Sequence, residues 1–253
     1  MSIIEAIILG ILQGLTEFLP ISSSGHLVLA SKIFGISGDF IFFSVILHVA
    51  TLLAVMLYFR KEVWFLIKHP FSKTAKQLYL ATLPTIILVL IFEGFIENSF
   101  DGKLLPFCFF FTAILLIITQ FVSTKNQNKE LDYKGSFAMG IMQGIAVLPG
   151  ISRSGATICT GIMLGYDKVK SAKFSFLMSI PIIFASMLYE IYKLIKIGGG
   201  QLFPFQTFIS ALFAFIVGLL AIKLMLWVVK KVKFYWFSIY LVAITIISFI
   251  FLY

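Results

Sequence analysis

Along this chain, long apolar runs alternate with short stretches where the lysines gather. Six runs are close to the roughly 20 residues a helix needs to cross a bilayer: Ile41 to Phe59, Leu78 to Ile96, Leu104 to Val122, Phe174 to Tyr192, Phe205 to Val229 and Phe234 to Tyr253. Two further apolar regions, Ile3 to Phe34 and Phe137 to Leu164, break near the middle. Pro20 with Ser22-Ser23-Ser24-Gly25 interrupts the first, and Pro149-Gly150 with Ser152-Arg153-Ser154-Gly155 the second. Each reads as a re-entrant pair of half-helices. Lipid offers backbone N–H and C=O groups no partners, so such breaks persist at membrane depth only where protein buries them or a wet cavity receives them. The pattern predicts a cavity between the two breaks.

The broken regions are related to each other. Gly10-Ile11-Leu12-Gln13-Gly14-Leu15 matches Gly140-Ile141-Met142-Gln143-Gly144-Ile145 at an offset of 130, and Ser22, Ser24 and Gly25 then match Ser152, Ser154 and Gly155. Phe43-Ser44 and Ala54 to Tyr58 match Phe174-Ser175 and Ala185 to Tyr189 at 131. Apolar helices resemble one another by composition, but Gln and the Ser-x-Ser-Gly string are not generic lipid-facing residues. The chain therefore reads as a single integral membrane domain over 1–253, made of repeat 1 (about 1–125) and repeat 2 (about 135–253). Each repeat is a re-entrant pair plus three transmembrane helices. Three crossings is an odd number, so the second copy enters from the opposite side. The expected fold is an all-α polytopic membrane protein with two inverted-topology repeats and a site at their interface.

Composition agrees, since 60% of the 253 residues are apolar and 12% charged, more apolar surface than a soluble domain of this size hides. The net charge of +9 would raise the question of nucleic acid in a soluble protein. Here the basic residues fall between spans and set orientation instead. Arg60, Lys61, Lys68, Lys73, Lys76, Lys125, Lys129, Lys134, Lys168, Lys170, Lys173, Lys230, Lys231 and Lys233 fall on one side. Lys32, Lys103, Lys193 and Lys196 share the other with Glu5, Asp39, Glu97 and Asp101. The first side is expected to be cytoplasmic, which turns both termini and the site's opening outward. The N-terminus lacks a basic n-region and is read as retained. Cys108 and Cys159 lie in apolar runs without metal or redox spacing and read as small buried residues.

Glu17 and Arg153 are the charges expected deepest in the membrane, where an ionisable group is costly enough to signal function. In the repeat frame Glu17 aligns with Val147, Ser23 with Arg153 and His26 with Ala156. One copy thus supplies acid, hydroxyl and imidazole, and the other a guanidinium. Gln13 and Glu17, four apart, share a helical face. With substrate oxygens they make a seat for Mg2+ or Ca2+, and Glu17 could instead pair with Arg153 without a metal. Ser22, Ser23, Ser24 and Gly25 fall at the start of the second half-helix, where free N–H groups and the helix dipole favour an anion. Ser152, Ser154, Gly155 and Thr157 fall likewise around Arg153, whose guanidinium suits phosphate oxygens. At least one of these hydroxyls is expected to be an ordinary N-cap. His26, three residues after Ser23, lies beside it as base, acid or phosphate acceptor. The residues leave Ser23 and His26 open as nucleophile. His48, mid-span and outside the repeated motif, is assigned to packing or a polar interhelical contact, His69 to a solvated loop, and Lys223 to a snorkelling position. Gly198-Gly199-Gly200 follows no strand and is no nucleotide loop.

The segments Gln13 to His26 and Pro149 to Thr157, with their separation and the whole hydrophobic profile, resemble the signatures of the undecaprenyl-diphosphate phosphatase family of the bacitracin-resistance type. The resemblance implies a phosphoric anhydride hydrolase of the bacterial cell membrane. Its substrate would be the C55 polyprenyl diphosphate left after cell-wall polymerisation, and its products the monophosphate carrier and phosphate, with a divalent cation assisting. It implies the acidic pair at Gln13 and Glu17, the Ser/His pair at Ser23 and His26, and phosphate binding at Arg153. The family's first acidic position accepts Glu or Gln, and Gln13 here leaves one carboxylate. The partners implied are the lipid bilayer and the lipid diphosphate, with a homodimer compatible and nucleic acid not expected. The rival reading is a lipid-phosphate flippase or transporter, with or without hydrolysis, because inverted repeats with broken helices are also transporter architecture.

Overall fold

A computed structural model describes residues 1–36, 40–122, 129–197 and 205–253. Asp39, Lys125 and Gly198-Gly199-Gly200 lie outside the described residues. The chain folds into α1 (Ile3–Phe18), α2 (Ser23–Phe34), α3 (Phe40–Tyr58), α4 (Arg60–Lys68), α5 (Lys73–Ser99), α6 (Leu105–Val122), α7 (Tyr133–Ile145), α8 (Arg153–Met163), α9 (Lys168–Ile197), α10 (Phe205–Lys231) and α11 (Tyr235–Leu252). Among the described residues the only β-pairing is an isolated bridge between Lys129 and Tyr166. Helices α5, α6, α9, α10 and α11 are each long and apolar enough to span a bilayer, and α3 with α4 makes a sixth candidate bent by 83°. Apolar side chains such as Phe121 and Ile250 face outward from these helices, as lipid-facing residues do. The protein is an all-α polytopic membrane protein.

Both interrupted regions form two short helices around a break, α1 with α2 and α7 with α8. Packing follows the repeat: α1 lies along α10 while its counterpart α7 lies along α5, and α3 meets α9 as α6 meets α11. Spaced glycines make this close approach. A Cβ on Gly10 or Gly14 would run into the α10 backbone at Ser210 and Ala214, and one on Gly140 into the α5 backbone at Ala81. Small residues four apart let helices meet at backbone distance where no hydrophobic gain is available from leaving lipid. Across these seams Ser210 donates to the Ala6 carbonyl (2.8 Å) and Thr85 to that of Gly140 (3.0 Å).

The helices differ from the apolar runs in two respects. Arg60 to Lys68, read as part of a charged loop, is helix α4, in which none of the residues is fully buried. Val63 and Leu66 pack on the core and Glu62 pairs with Lys173 at 3.8 Å, which holds this amphipathic turn against the bundle. The helices α5 and α9 begin at Lys73 and Lys168, several residues before the apolar runs do. Lysine is a good helix former, and hydropathy marks the membrane boundary, not the helix end.

Candidate active site

The breaks meet face to face, and each satisfies the other's backbone. Ser22 Oγ caps α2 by accepting from Gly25 N (3.3 Å) and also accepts from Gly150 N (3.1 Å) in the opposite break. Ser154 Oγ returns the contact by donating to the Leu19 carbonyl at 3.0 Å. Ser152 Oγ caps α8 through Gly155 N (3.0 Å), and Thr112 of α6 accepts from Ser152 N (3.1 Å) and donates to Gly150 O (3.2 Å). Gly25 and Gly155 sit where the breaks touch: a Cβ on Gly25 would come within 2.7 Å of Gly150 Cα, and one on Gly155 within 3.2 Å of Pro20 Cβ. The broken backbone is thus satisfied by protein. Ser22 itself adopts φ 71°, ψ 99°, a left-handed conformation costing a non-glycine residue about 1–3 kcal/mol. Its carbonyl accepts from both the backbone N–H (3.2 Å) and the ring Nδ1 (2.7 Å) of His26, bonds that hold the turn.

A cavity of about 170 Å³ opens between the breaks, lined by Glu17, Ser22, Ser23, Ser24, Ser152 and Arg153 among others. That volume exceeds the share of several waters in the liquid. Helices α2 and α8 both begin at it, so two positive dipole ends converge there. Glu17, the last-but-one residue of α1, is almost fully buried, and both carboxylate oxygens are engaged. Oε1 is ion-paired with Arg153. Oε2 accepts from Ser23 Oγ at 2.5 Å and Gln13 Nε2 at 3.0 Å, and lies 3.4 Å from His48 Nε2. A buried carboxylate is tolerated when charge partners and hydrogen bonds replace its water, and four side chains from four helices do so here.

The remaining candidates divide between cavity and seam. His26 does not line the cavity. A backbone carbonyl can only accept, so the contact with Ser22 O puts the proton on Nδ1, and Nε2 then accepts from the Tyr240 hydroxyl at 2.8 Å. The ring stacks on Tyr240 and meets the edge of Phe109, so it faces α6 and α11. Adjacency of i and i+3 on a helix leaves open which way a side chain turns, and His26 turns away from Glu17. Ser154, Gly155, Gly25 and Thr157 belong to the seam; Thr157 Oγ1 donates to Arg153 O (2.8 Å) and meets Ser175 Oγ at 2.6 Å. Ser22, Ser23, Ser24 and Ser152 remain at the cavity.

Among the lining residues that sequence reasoning did not place at the site are His48 and Gln143. His48 makes the interhelical polar contact assigned to it, but to the site's own carboxylate, and it lines the cavity. Nothing in its surroundings along the chain marks it. Gln143 also lines the cavity with its Oε1 buried and without a partner; its match to Gln13 in the repeat was the available signal. His69 is exposed, its ring against Phe65, and both cysteines are buried free thiols.

Among the described residues, no cluster of three or more His, Cys, Asp or Glu forms a ready metal cage. Gln13 Oε1 is a buried acceptor without a partner, because the amide turns its NH2 towards Glu17. Turned over, it would present an oxygen beside the carboxylate. Two such donors, completed by substrate oxygens, fit Mg2+ or Ca2+.

Fold and site together define a membrane protein with a polar cavity, holding the Glu17–Arg153 pair, between two broken helix pairs. The model of the bacitracin resistance protein BacA family matches residues 6–247. Proteins named undecaprenyl-diphosphatase are similar over nearly the whole length. That of Christiangramia forsetii is 40% identical, covering 100% of this chain and 99% of its own, and that of Halothermothrix orenii 39%, covering 95% and 94%. That of Borrelia recurrentis is 41% identical, covering 96% of each. The chain belongs to the BacA family.

Proposed function

We propose that this protein hydrolyses undecaprenyl diphosphate to undecaprenyl phosphate and inorganic phosphate, recycling the lipid carrier of cell-wall synthesis and thereby conferring resistance to bacitracin. The observation that carries the reading is the 2.5 Å hydrogen bond from Ser23 to Glu17 beside Arg153, at the convergence of two helix N-termini. A carrier needs binding groups only, whereas a hydroxyl held by a carboxylate next to a guanidinium is equipped for phosphoryl transfer.

In this account the lipid tail stays in the bilayer and the diphosphate enters the cavity. Arg153 exchanges the carboxylate for phosphate oxygens, which frees Glu17 to act as base. Ser23 Oγ bonds to the terminal phosphorus, its proton passes to Glu17, and the bond to the bridging oxygen breaks, releasing undecaprenyl phosphate. Water then cleaves the phosphoserine, and Ser23 regains its proton. His26 holds the α2 turn that aims Ser23. A divalent cation on Glu17, Gln13 and phosphate oxygens would neutralise charge on the transferring group. The clustering of basic residues at the ends of α4, α5, α9 and α10 supports a bacterial cell membrane orientation with this side cytoplasmic, and both termini and the site outward.

The test is phosphate release from undecaprenyl diphosphate by purified protein in detergent, with and without EDTA. Release that EDTA suppresses and added Mg2+ or Ca2+ restores is the expected result. No release with any divalent cation, from protein that moves lipid phosphate across vesicles, would favour the flippase.

A further inference from the structure

The two glutamines of the repeat are used differently. Gln13 turns its NH2 to Glu17, four residues on. Gln143, its counterpart on α7, has Val147 in the place of that acid. Its NH2 is directed to the neighbouring helices instead, with Nε2 3.3 Å from Thr85 Oγ1 of α5 and 3.4 Å from the Met178 carbonyl of α9. Thr85 gives its own hydrogen to the Gly140 carbonyl at 3.0 Å, and the Met178 carbonyl can only accept, so both contacts need the nitrogen where it is. Turning the amide over would set its oxygen against two acceptors. The orientation of Gln143 is therefore fixed, whereas that of Gln13 rests on one bond.

This leaves Gln143 Oε1 buried and without a hydrogen-bond partner among the described residues, on a residue only 1% exposed. Gln143 lies on the wall of the cavity that holds Glu17, Ser23 and Arg153, and with its NH2 turned to α5 and α9 the oxygen is the polar atom left for that cavity. A buried acceptor without a donor costs about 1–3 kcal/mol, so a ligand that brings a hydrogen is favoured there. The ionised oxygens of a diphosphate or a phosphoserine are acceptors too and do not suit. A divalent cation needs several oxygens at once, and the residues that follow Gln143 on the wall, Ala146 and Val147, offer no side-chain oxygen where Gln13 has Glu17. Water brings the hydrogen, and the cavity of about 170 Å³ has room for it.

We propose that Gln143 Oε1 holds the water that cleaves the phosphoserine on Ser23. The inference rests on the hydrolase reading and on its two-step course. Oε1 accepts one hydrogen of the water, which turns an oxygen lone pair to the phosphorus once undecaprenyl phosphate has left. The water oxygen bonds to phosphorus, the bond from phosphorus to Ser23 Oγ breaks, and the proton held by Glu17 passes to Oγ. Both water hydrogens leave on the phosphate. Gln143 neither gives nor takes a proton; it fixes the direction of attack, and positioning supplies much of the rate in phosphoryl transfer. The first step uses no water, so Gln143 bears on the second alone.

The test follows the first turnover and the steady state of undecaprenyl diphosphate cleavage for wild type, Gln143→Met and Gln143→Asn in detergent with Mg2+. Methionine fills the space without an oxygen, and asparagine keeps the amide but draws its oxygen back by one methylene. Both variants are expected to release undecaprenyl phosphate at the wild-type rate in the first turnover, in an amount equal to the protein. Inorganic phosphate should then follow about 100-fold more slowly, the scale of a misplacement of about 1 Å. Acid-quenched variant protein should carry phosphate on Ser23, read by mass spectrometry. A side chain that only braces α5 and α9 would slow both steps and leave Ser23 bare. Wild-type kcat in both variants, a first turnover slowed in both without phosphate on Ser23, or a loss that raised Mg2+ repairs would overturn the proposal. An inactive wild type, or wild-type release by Ser23→Ala, would instead overturn the reading beneath it, so the failures are distinct.

Discussion

The carboxylate of Glu17, near the end of α1, is ion-paired with the guanidinium of Arg153, the first residue of α8, across 136 positions of sequence. Each comes from one of the two breaks, so the pair joins the two repeats at the cavity. Removing one partner of a buried pair leaves the other charge uncompensated, at a cost of about 3–5 kcal/mol. Arg153→Ala should therefore lower the unfolding midpoint in detergent, and adding Glu17→Gln should restore part of it. Additive losses in the double variant would mean that the pair does not couple the repeats.

The glycine seams give a second prediction. Gly10→Ala and Gly140→Ala each put a methyl group into the facing backbone of α10 or α5, and overpacking of this kind costs about 1–3 kcal/mol. Both should lower the unfolding midpoint by similar amounts, because the seams are counterparts. An unaffected midpoint in either would mean that the helices are not in backbone contact there.

In the proposed mechanism His26 holds the turn that aims Ser23. Tyr240→Phe removes the 2.8 Å bond to its Nε2, worth about 1 kcal/mol, and should lower stability slightly while leaving most of kcat. A kcat loss as large as that of a nucleophile variant would instead give the imidazole a chemical role.

At the basic end, Asp132 caps α7 by accepting from Gly135 N at 2.8 Å and from the Tyr166 hydroxyl at 2.6 Å, with Lys129 at 3.2 Å from its other oxygen. The Tyr166 hydrogen bond first, then that of Gly135, hold its carboxyl down at about 2 against an ordinary 3.8. A depressed carboxyl stabilises the fold above its ordinary value, and that contribution disappears as pH falls from about 4 towards 2. The midpoint difference between wild type and Asp132→Asn should shrink over that window. A difference independent of pH would show that the ionised form has no special role.

Much of this architecture was legible in the chain because lipid enforces it. A break with proline, glycine and serines inside an apolar run has few folded solutions, so both half-helix pairs were visible, as was the pairing of Glu17 with Arg153. Hydropathy reports only what lipid excludes, which is why α4 and the first turns of α5 and α9 were not visible. The site's interior was less legible for a different reason. Spacing puts His26 near Ser23, but the direction of its ring depends on Tyr240, far away in sequence. His48 meets Glu17 only through the packing of α3 against α1. The seam residues Gly25, Ser154, Gly155 and Thr157 share the motif with cavity residues because the same turn must close the backbone and present the hydroxyls.

The most direct test of the account is the rate of phosphate release from undecaprenyl diphosphate by Ser23→Ala compared with wild type, both purified and equally folded. The account predicts a loss of at least about 100-fold, since the hydroxyl that Glu17 holds would be gone. A Ser23→Ala protein that releases phosphate at the wild-type rate would contradict it.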